Sequence, residues 1–266
     1  MARSIVTLTT DFGGSSGYVA QLKGSLLSRT RDVQIVDVCH EVPPQDVRYA
    51  ARLVDEFIDW FPVDAVHVVV VDPGVGTARP LVLAQFGGRR VLGPDNGVFD
   101  RSLMRQPVDF AVRLEESSYW NASVSRTFHG RDILAPVAGR LLEGLAPSKL
   151  GPSHELAIRL SWPTVRVTDG GVAGVVERVD RFGNLITNLD AGSAGARFQG
   201  RAGRVSCGSE SGIEWVETYG DRDAGSLVAL VGSLGRLEIA VVGGSAAERL
   251  GVGESAVVAV EWLRLG

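Results

Sequence analysis

Four side chains in the first half of the chain have the types and settings that chemistry requires: Asp11, Asp72, Arg79 and His129. Asp72 ends the run Val66-His67-Val68-Val69-Val70-Val71 and is followed by Pro73-Gly74, a turn that could fold Arg79 back towards the acid. An Asp–His pair can orient a water molecule, and an arginine lowers the cost of the charge that develops when that water attacks. Two aspartates and a histidine could also hold a metal, but neither H-x-x-x-H nor D-x-H spacing is present. A nucleophilic serine has no G-x-S-x-G support. Asp-Phe-Gly at 11–13 lacks the strand lysine and catalytic loop of a kinase. Each residue has a plainer reading too: Asp11 or Ser16 as a helix cap, His129 as a hydrogen-bonded loop histidine.

The elements around these residues are what would bring them together. An uninterrupted β-branched run such as 66–71 reads as a strand buried on both faces, which means a parallel sheet covered by helices. Ser4–Thr10 reads as an earlier strand, and Tyr18, Val19, Leu22, Leu26 and Leu27 recur at helical spacing after Gly13, Gly14 and Gly17. Val33–Val38 is a second strand, leading into Cys39-His40-Glu41-Val42-Pro43-Pro44 and a helix marked by Val47, Ala50, Ala51, Val54, Phe57 and Ile58. The order β-α-β-α-β predicts a doubly wound α/β sheet, whose ligands sit at the carboxyl ends of the strands. Asp11 and Asp72 both fall at such ends. Leu81–Phe86 and Arg90–Leu92 read as a hairpin turned by Gly87-Gly88, Gly93-Pro94-Asp95-Asn96-Gly97 as a polar turn, and Phe110–Leu114 as another strand. Ile133 to Leu142 is helical in period, so His129 lies at a helix entrance, and Pro136 is tolerable in its first turn.

Beyond residues 150–165 the character changes. Short β-branched stretches recur at 165–167, 174–179, 184–188, 201–206, 213–216, 227–231, 237–242 and 256–262, with Ser245–Leu250 as a short helix. This pattern predicts a smaller all-β, barrel-like domain. We therefore expect an α/β domain over 1–155 and a β domain over 164–266. The chain has 266 residues, 45% hydrophobic and 22% charged, enough for a sizeable core. A net charge of −4 argues against nucleic acid as a main partner. Two distant cysteines, no signal-like start and no long apolar run point to a cytoplasmic protein with no membrane segment.

The residues together resemble the S-adenosylmethionine (SAM) hydroxide adenosyltransferase family, relatives of the fluorinase and chlorinase. The carriers are Thr7–Gly13, Tyr18-Val19, Lys23-Gly24, Val71–Arg79, Gly93–Gly97, Thr127–Asp132, Asp180–Asn188 and Leu237–Ala240, in this order over essentially the whole length. The resemblance implies that Asp72, Arg79 and His129 position and activate water, which attacks C5′ of SAM and releases adenosine and L-methionine. It implies that Asp11 binds the ribose hydroxyls and that Asp180 and Asn184 lie near the methionine end. Phe182 and the Ser233–Ala240 segment, including Ser233, Arg236 and Glu238, would line that pocket and the adenine side. It further implies a homotrimer with active sites between subunits, SAM as substrate rather than cofactor, and no metal. Ser16 and Val242 depart from common family residues, which affects one contact to methionine and one to adenine. An extra loop of the fluorinase has no room here, which weighs towards water over halide. A halide-dependent adenosyltransferase and a non-catalytic SAM or adenosine binder are the alternatives.

Overall fold

In the computed structural model, which describes residues 3–190 and 203–262, the chain divides into two compact units, Met1–Leu160 and Ser161–Gly266. The first is α/β. Its sheet has six strands: β1 (Ser4–Thr10), β2 (Val33–Cys39), β3 (Val66–Val70), β4 (Leu81–Phe86), β5 (Arg89–Pro94) and β6 (Phe110–Arg113), in the order β2-β1-β3-β5-β4-β6. β2, β1, β3 and β5 run parallel, and β4 is antiparallel to both its neighbours. The chain leaves β1 towards one side to form β2 and crosses to the other to form β3. β1 and β3 therefore flank the point where the winding reverses, where α/β sheets open a crevice for ligands.

All five residues of β3 are buried, as its composition demands. Val66, Val68 and Val70 face a core shared with α1 (Tyr18–Leu27) and α4 (Ala135–Leu142). Val69 and Val71 face a second core containing Ala50 and Val54 of α2 (Val47–Phe57) and Phe99, which precedes α3 (Asp100–Arg105). Helices thus cover both faces. On the second face His67 sits fully buried between the rings of Phe57 and Phe61, with Nδ1 2.8 Å from Thr7 Oγ1.

Two features differ from the sequence expectation. α3 follows the 93–97 turn directly, and at six residues it is too short for a periodic pattern to declare itself. The helix that follows His129 begins with a π-helical turn over Gly130–Leu134 before α4 proper, with Pro136 in the first turn of α4. No helix among the described residues is long and apolar enough to cross a membrane.

The second unit is a closed β-barrel. Its strands are β7 (Arg166–Thr168), β8 (Gly171–Val179), β9 (Leu185–Asp190), β10 (Gly203–Cys207), β11 (Glu210–Trp215), β12 (Leu227–Val231), β13 (Arg236–Val241) and β14 (Val257–Trp262). The order β14-β10-β11-β12-β13-β9-β8 closes through β14–β8 pairing, and β7 lies outside the ring against β8. The interior holds Val176, Leu185, Leu189, Val205, Leu237, Ile239, Val258 and Val260, and the helix α5 (Ala246–Leu250) packs onto it through Ala246. Part of the expected 201–206 strand, residues 201 and 202, lies outside the described residues.

Candidate active site

Asp72 follows β3 at the open edge. The turn after it is fixed by its own backbone: Val75 N–H donates to Asp72 O at 3.2 Å and Thr77 N–H to Gly74 O at 3.1 Å. Gly76 needs its left-handed backbone, φ +81°, and a Cβ there would stand 2.6 Å from Arg126 O. This tight return carries Arg79 back onto Asp72. Arg79 Nε donates to Asp72 Oδ1 at 2.7 Å and to Oδ2 at 2.9 Å, and a terminal nitrogen, Nη2, also contacts Oδ2. The same Nη2 lies 3.0 Å from His129 Nδ1. Both side chains of the ion pair are largely buried, at 10% and 7% exposure.

A guanidinium only donates, so His129 Nδ1 must accept and cannot carry a proton while this contact holds. Burial first, and the Arg79 charge second, hold the imidazole below its ordinary value, against the opposing pull of Asp72 and Asp132. His129 is therefore neutral near pH 7, with its one proton on Nε2.

The residues just after His129 hold it in place. Gly130 presses on β3, where a Cβ would come within 2.7 Å of Val70 Cγ1. Asp132, 2% exposed, takes Arg131 Nε at 2.7 Å and Ser125 N–H at 2.8 Å. Burial pushes its carboxyl up, but Arg131 and the Ser125 amide outweigh that and hold it below the usual carboxylate range. Phe128 meets the ring of Phe12 edge-on at 5.4 Å, which ties the loop before α4 to the loop after β1.

Asp11 stands on that neighbouring loop. The pairing of Thr10 with Val70 puts the ends of β1 and β3 side by side. Its Oδ2 accepts from Gln45 N–H at 2.8 Å, which leaves Oδ1 available for a hydroxyl donor. Gly93–Gly97, expected as a polar turn and a carrier of the family resemblance, has two tasks in the structure. Asn96 Nδ2 donates to Val71 O at 2.9 Å, fixing the strand end just before Asp72. Asp95 receives His154 Nε2 at 2.7 Å. An Asp and an Asn after a buried strand were the available signal.

In the second unit Asp180, Phe182, Asn184, Ser233, Arg236 and Glu238 all line one open cavity of about 830 Å³. Asp180 Oδ1 accepts from Phe182 N–H and Asn184 N–H, each at 2.9 Å, and Oδ2 accepts from Asn184 Nδ2 at 2.9 Å. The carboxylate is thus occupied in building the turn that presents Phe182, a ring 76% exposed. Gly183 makes the turn possible at φ +84°, where a Cβ would strike Ser245 Oγ. Arg236 is paired with Glu177. Glu238 is 6% exposed and accepts a hydrogen bond from the Tyr219 hydroxyl; burial pushes both the Glu238 carboxyl and the Tyr219 phenol above their ordinary values. Neither Tyr219 nor Glu177 stood out in the sequence. Among the described residues no three His, Cys, Asp or Glu side chains are grouped to hold a metal ion.

Known proteins carry the same pattern. Residues 6–151 match the SAM hydroxide adenosyltransferase N-terminal domain and residues 174–259 its C-terminal domain. The chain is 38% identical to the (R)-S-adenosyl-L-methionine hydrolase of Salinispora tropica, over 93% of this chain and 94% of that one. It is 39% identical to the enzyme of the same name from Thermus thermophilus, over 94% and 96%. A fluorinase from Actinopolyspora mzabensis is more distant, at 26% identity over 71% of this chain and 72% of its own length. A solved structure of a conserved protein from Thermotoga maritima superposes with a TM-score of 0.88 at 32% identity, covering 96% of this chain and 99% of that one. With both domains matched in order and relatives this similar over nearly the full length, the chain belongs to the SAM hydroxide adenosyltransferase family.

Proposed function

We propose that this protein hydrolyses S-adenosyl-L-methionine to adenosine and L-methionine. The observation that carries the proposal is the Asp72–Arg79–His129 contact, three groups suited to hold and deprotonate one water at the edge where α/β sheets bind ligands. The relatives named SAM hydrolase support the substrate.

The chemistry follows from the groups. The sulfonium of SAM is already an activated leaving group and departs as a neutral thioether, so no acid is needed for it. The difficult part is a nucleophile aligned opposite the C5′–S bond, and holding water there converts a collision into a near-unimolecular step. Neutral His129 offers Nε2–H to the water oxygen as a donor. It is not the base in this tautomer. The Asp72 carboxylate has about four lone-pair sites, and the three Arg79 contacts leave one for the water proton. The water oxygen bonds to C5′, the C5′–S pair goes to sulfur, and Asp72 takes the proton. Arg79 stays charged throughout and stabilises the hydroxide character that develops. Asp11 receives the ribose hydroxyls, and the second-unit cavity of a neighbouring subunit receives the methionine and adenine portions, the arrangement that the resemblance implies. The working form is a homotrimer with sites shared between subunits, as the family resemblance implies, and its two distant cysteines suit the cytoplasm; light scattering at micromolar concentration reads the assembly directly.

Incubation with SAM in oxygen-18 water tests the reaction. Label is expected in the 5′ hydroxyl of the adenosine formed. Adenosine without label, or a 5′-halogenated nucleoside as the main product when chloride is present, overturns water as the nucleophile.

A further inference from the structure

Residues 40–45, between β2 and α2, do more than connect two elements. β1 and β2 are parallel neighbours, so the loops that leave Thr10 and Cys39 emerge side by side at the same sheet edge. Five hydrogen bonds join them. Gly13 N–H donates to His40 O at 2.7 Å, and Val42 N–H to Thr10 O at 3.3 Å. Gly14 N–H donates to Glu41 Oε1 at 2.7 Å, and Gln45 N–H to Asp11 Oδ2 at 2.8 Å. The fifth joins Thr10 Oγ1 and His40 Nδ1 at 2.9 Å. Gln45 makes its bond from a left-handed backbone, φ +66°, rare for a residue with a side chain. Strain of that kind, kept beside a carboxylate, marks a geometry the surroundings enforce.

His40 is the one residue here that contributes both its carbonyl and its ring. Behind the ring, Nε2 lies 3.0 Å from Asp37 Oδ1, an electrostatic contact rather than an aligned hydrogen bond, and Lys23 Nζ lies 2.5 Å from Asp37 Oδ2. The Thr10 hydroxyl that meets Nδ1 also lies 3.3 Å from the Phe12 amide, whose N–H donates to it. Hydroxyl, imidazole and carboxylate in a row look like a nucleophile triad. Thr10, however, is fully buried, so its hydroxyl cannot meet a substrate. The row holds the chain in place.

We propose that His40 is a positioning residue for nucleoside binding, acting through Thr10 and the 11–14 backbone to hold the Asp11 carboxylate at the angle that receives two vicinal hydroxyls. The proposal rests on the reading of Asp11 as the ribose ligand. A carboxylate that faces a diol must present its free lone pairs at a fixed angle, and a first loop without support would sample many angles.

The test is a coupling measurement. His40→Ala and Thr10→Val should each raise the Kd for adenosine and the KM for SAM by about 10-fold, mid-range for side chains sharing one hydrogen-bond network, while kcat changes little. His40→Asn, which keeps a polar group opposite Thr10, should lose less and guards against a variant that fails to fold. In an Asp11→Ala background the His40→Ala change should have no further effect on adenosine affinity. An undiminished effect in that background, or a His40→Ala enzyme with unchanged KM, overturns the proposal. Amide exchange at Gly13 and Gly14, read without ligand, should rise in His40→Ala, and unchanged protection there also overturns it. That readout stands whatever the wild-type chain does to SAM, whereas a wild type that neither hydrolyses SAM nor binds adenosine overturns the functional reading alone.

Discussion

At the scale of single residues, the contact between Arg79 Nη2 and His129 Nδ1 decides the most. It fixes the imidazole as an acceptor on one side and a donor on the other, and the proposed mechanism accordingly gives proton uptake to Asp72. Asp72→Asn and His129→Ala are expected to lower kcat by at least ~10²-fold, the usual cost of removing an acid–base or oriented donor group. Adenosine affinity should stay within a few-fold of wild type. Competition binding alongside steady-state kinetics checks both, and full activity in either variant would reject the assignment. The pH profile has its origin in the same contact. His129 is held below the ordinary histidine value of 6.5, mainly by burial. Protonation of Nδ1 would set it against Arg79, so turnover should fall on the acid side only once pH drops below about 6.5. An acid limb of kcat centred above that value would contradict a neutral His129. The residue types at these positions were legible from the sequence. The pairing of Arg79 with Asp72 was legible too, from the Pro73-Gly74 turn between them; the direct contact of Arg79 with Nδ1 of His129 was not, because it joins side chains 50 residues apart and its direction depends on which ring nitrogen faces the guanidinium.

Elements explain why these side chains can be rigid. The π-helical turn at Gly130–Leu134 leans on Val70, and the closeness of that approach sets where His129 points. Gly130→Ala would place a methyl 2.7 Å from Val70 Cγ1. It should cost about 1–3 kcal/mol of stability through overpacking and lower turnover by roughly 10-fold or more as the histidine shifts. Adding Val70→Ala should restore part of the activity. Thermal melts with kinetics on the single and double variants would show this, and an unimpaired Gly130→Ala enzyme would remove the positioning role. The sequence displayed β3 and the amphipathic helices because burial on one face or two imposes a period. It concealed α3 and the π turn because both are too short for a period, and it concealed the pairing of the 40–45 loop with the Asp11 loop because those bonds run mostly from backbone groups, which have no letter.

For the molecule as a whole, the relevant quantities are stability and cooperativity. His67 is fully buried between aromatic rings, and burial, with the Arg89 charge second, lowers its value to about 4. In the unfolded chain it titrates near 6.5. Above that pH neither state binds the proton; as pH falls through 6.5 towards 4 the unfolded state gains it and the folded state does not. Stability should therefore drop across that window by up to roughly 3 kcal/mol from this residue. Urea unfolding at pH 7 and pH 4.5 should show the loss, and His67→Gln should flatten it relative to wild type; an identical pH slope in the variant would refute the origin. At this scale the sequence was legible in outline. The change from helical to short β-branched periodicity past residue 150 separates two architectures, and the structure bears out an α/β sheet unit and a barrel. Closure of the barrel was out of reach, because it depends on β14 finding β8 across more than the length of any local pattern.

That closure has a mechanical side. A ring of staves has no outermost member, so loosening any one of them opens two seams instead of one. Fraying from an end, the usual first step of melting in an open sheet, is confined to β7, which lies outside the ring. The second unit should give way all at once, and the walls of its 830 Å³ cavity should keep their shape until it does.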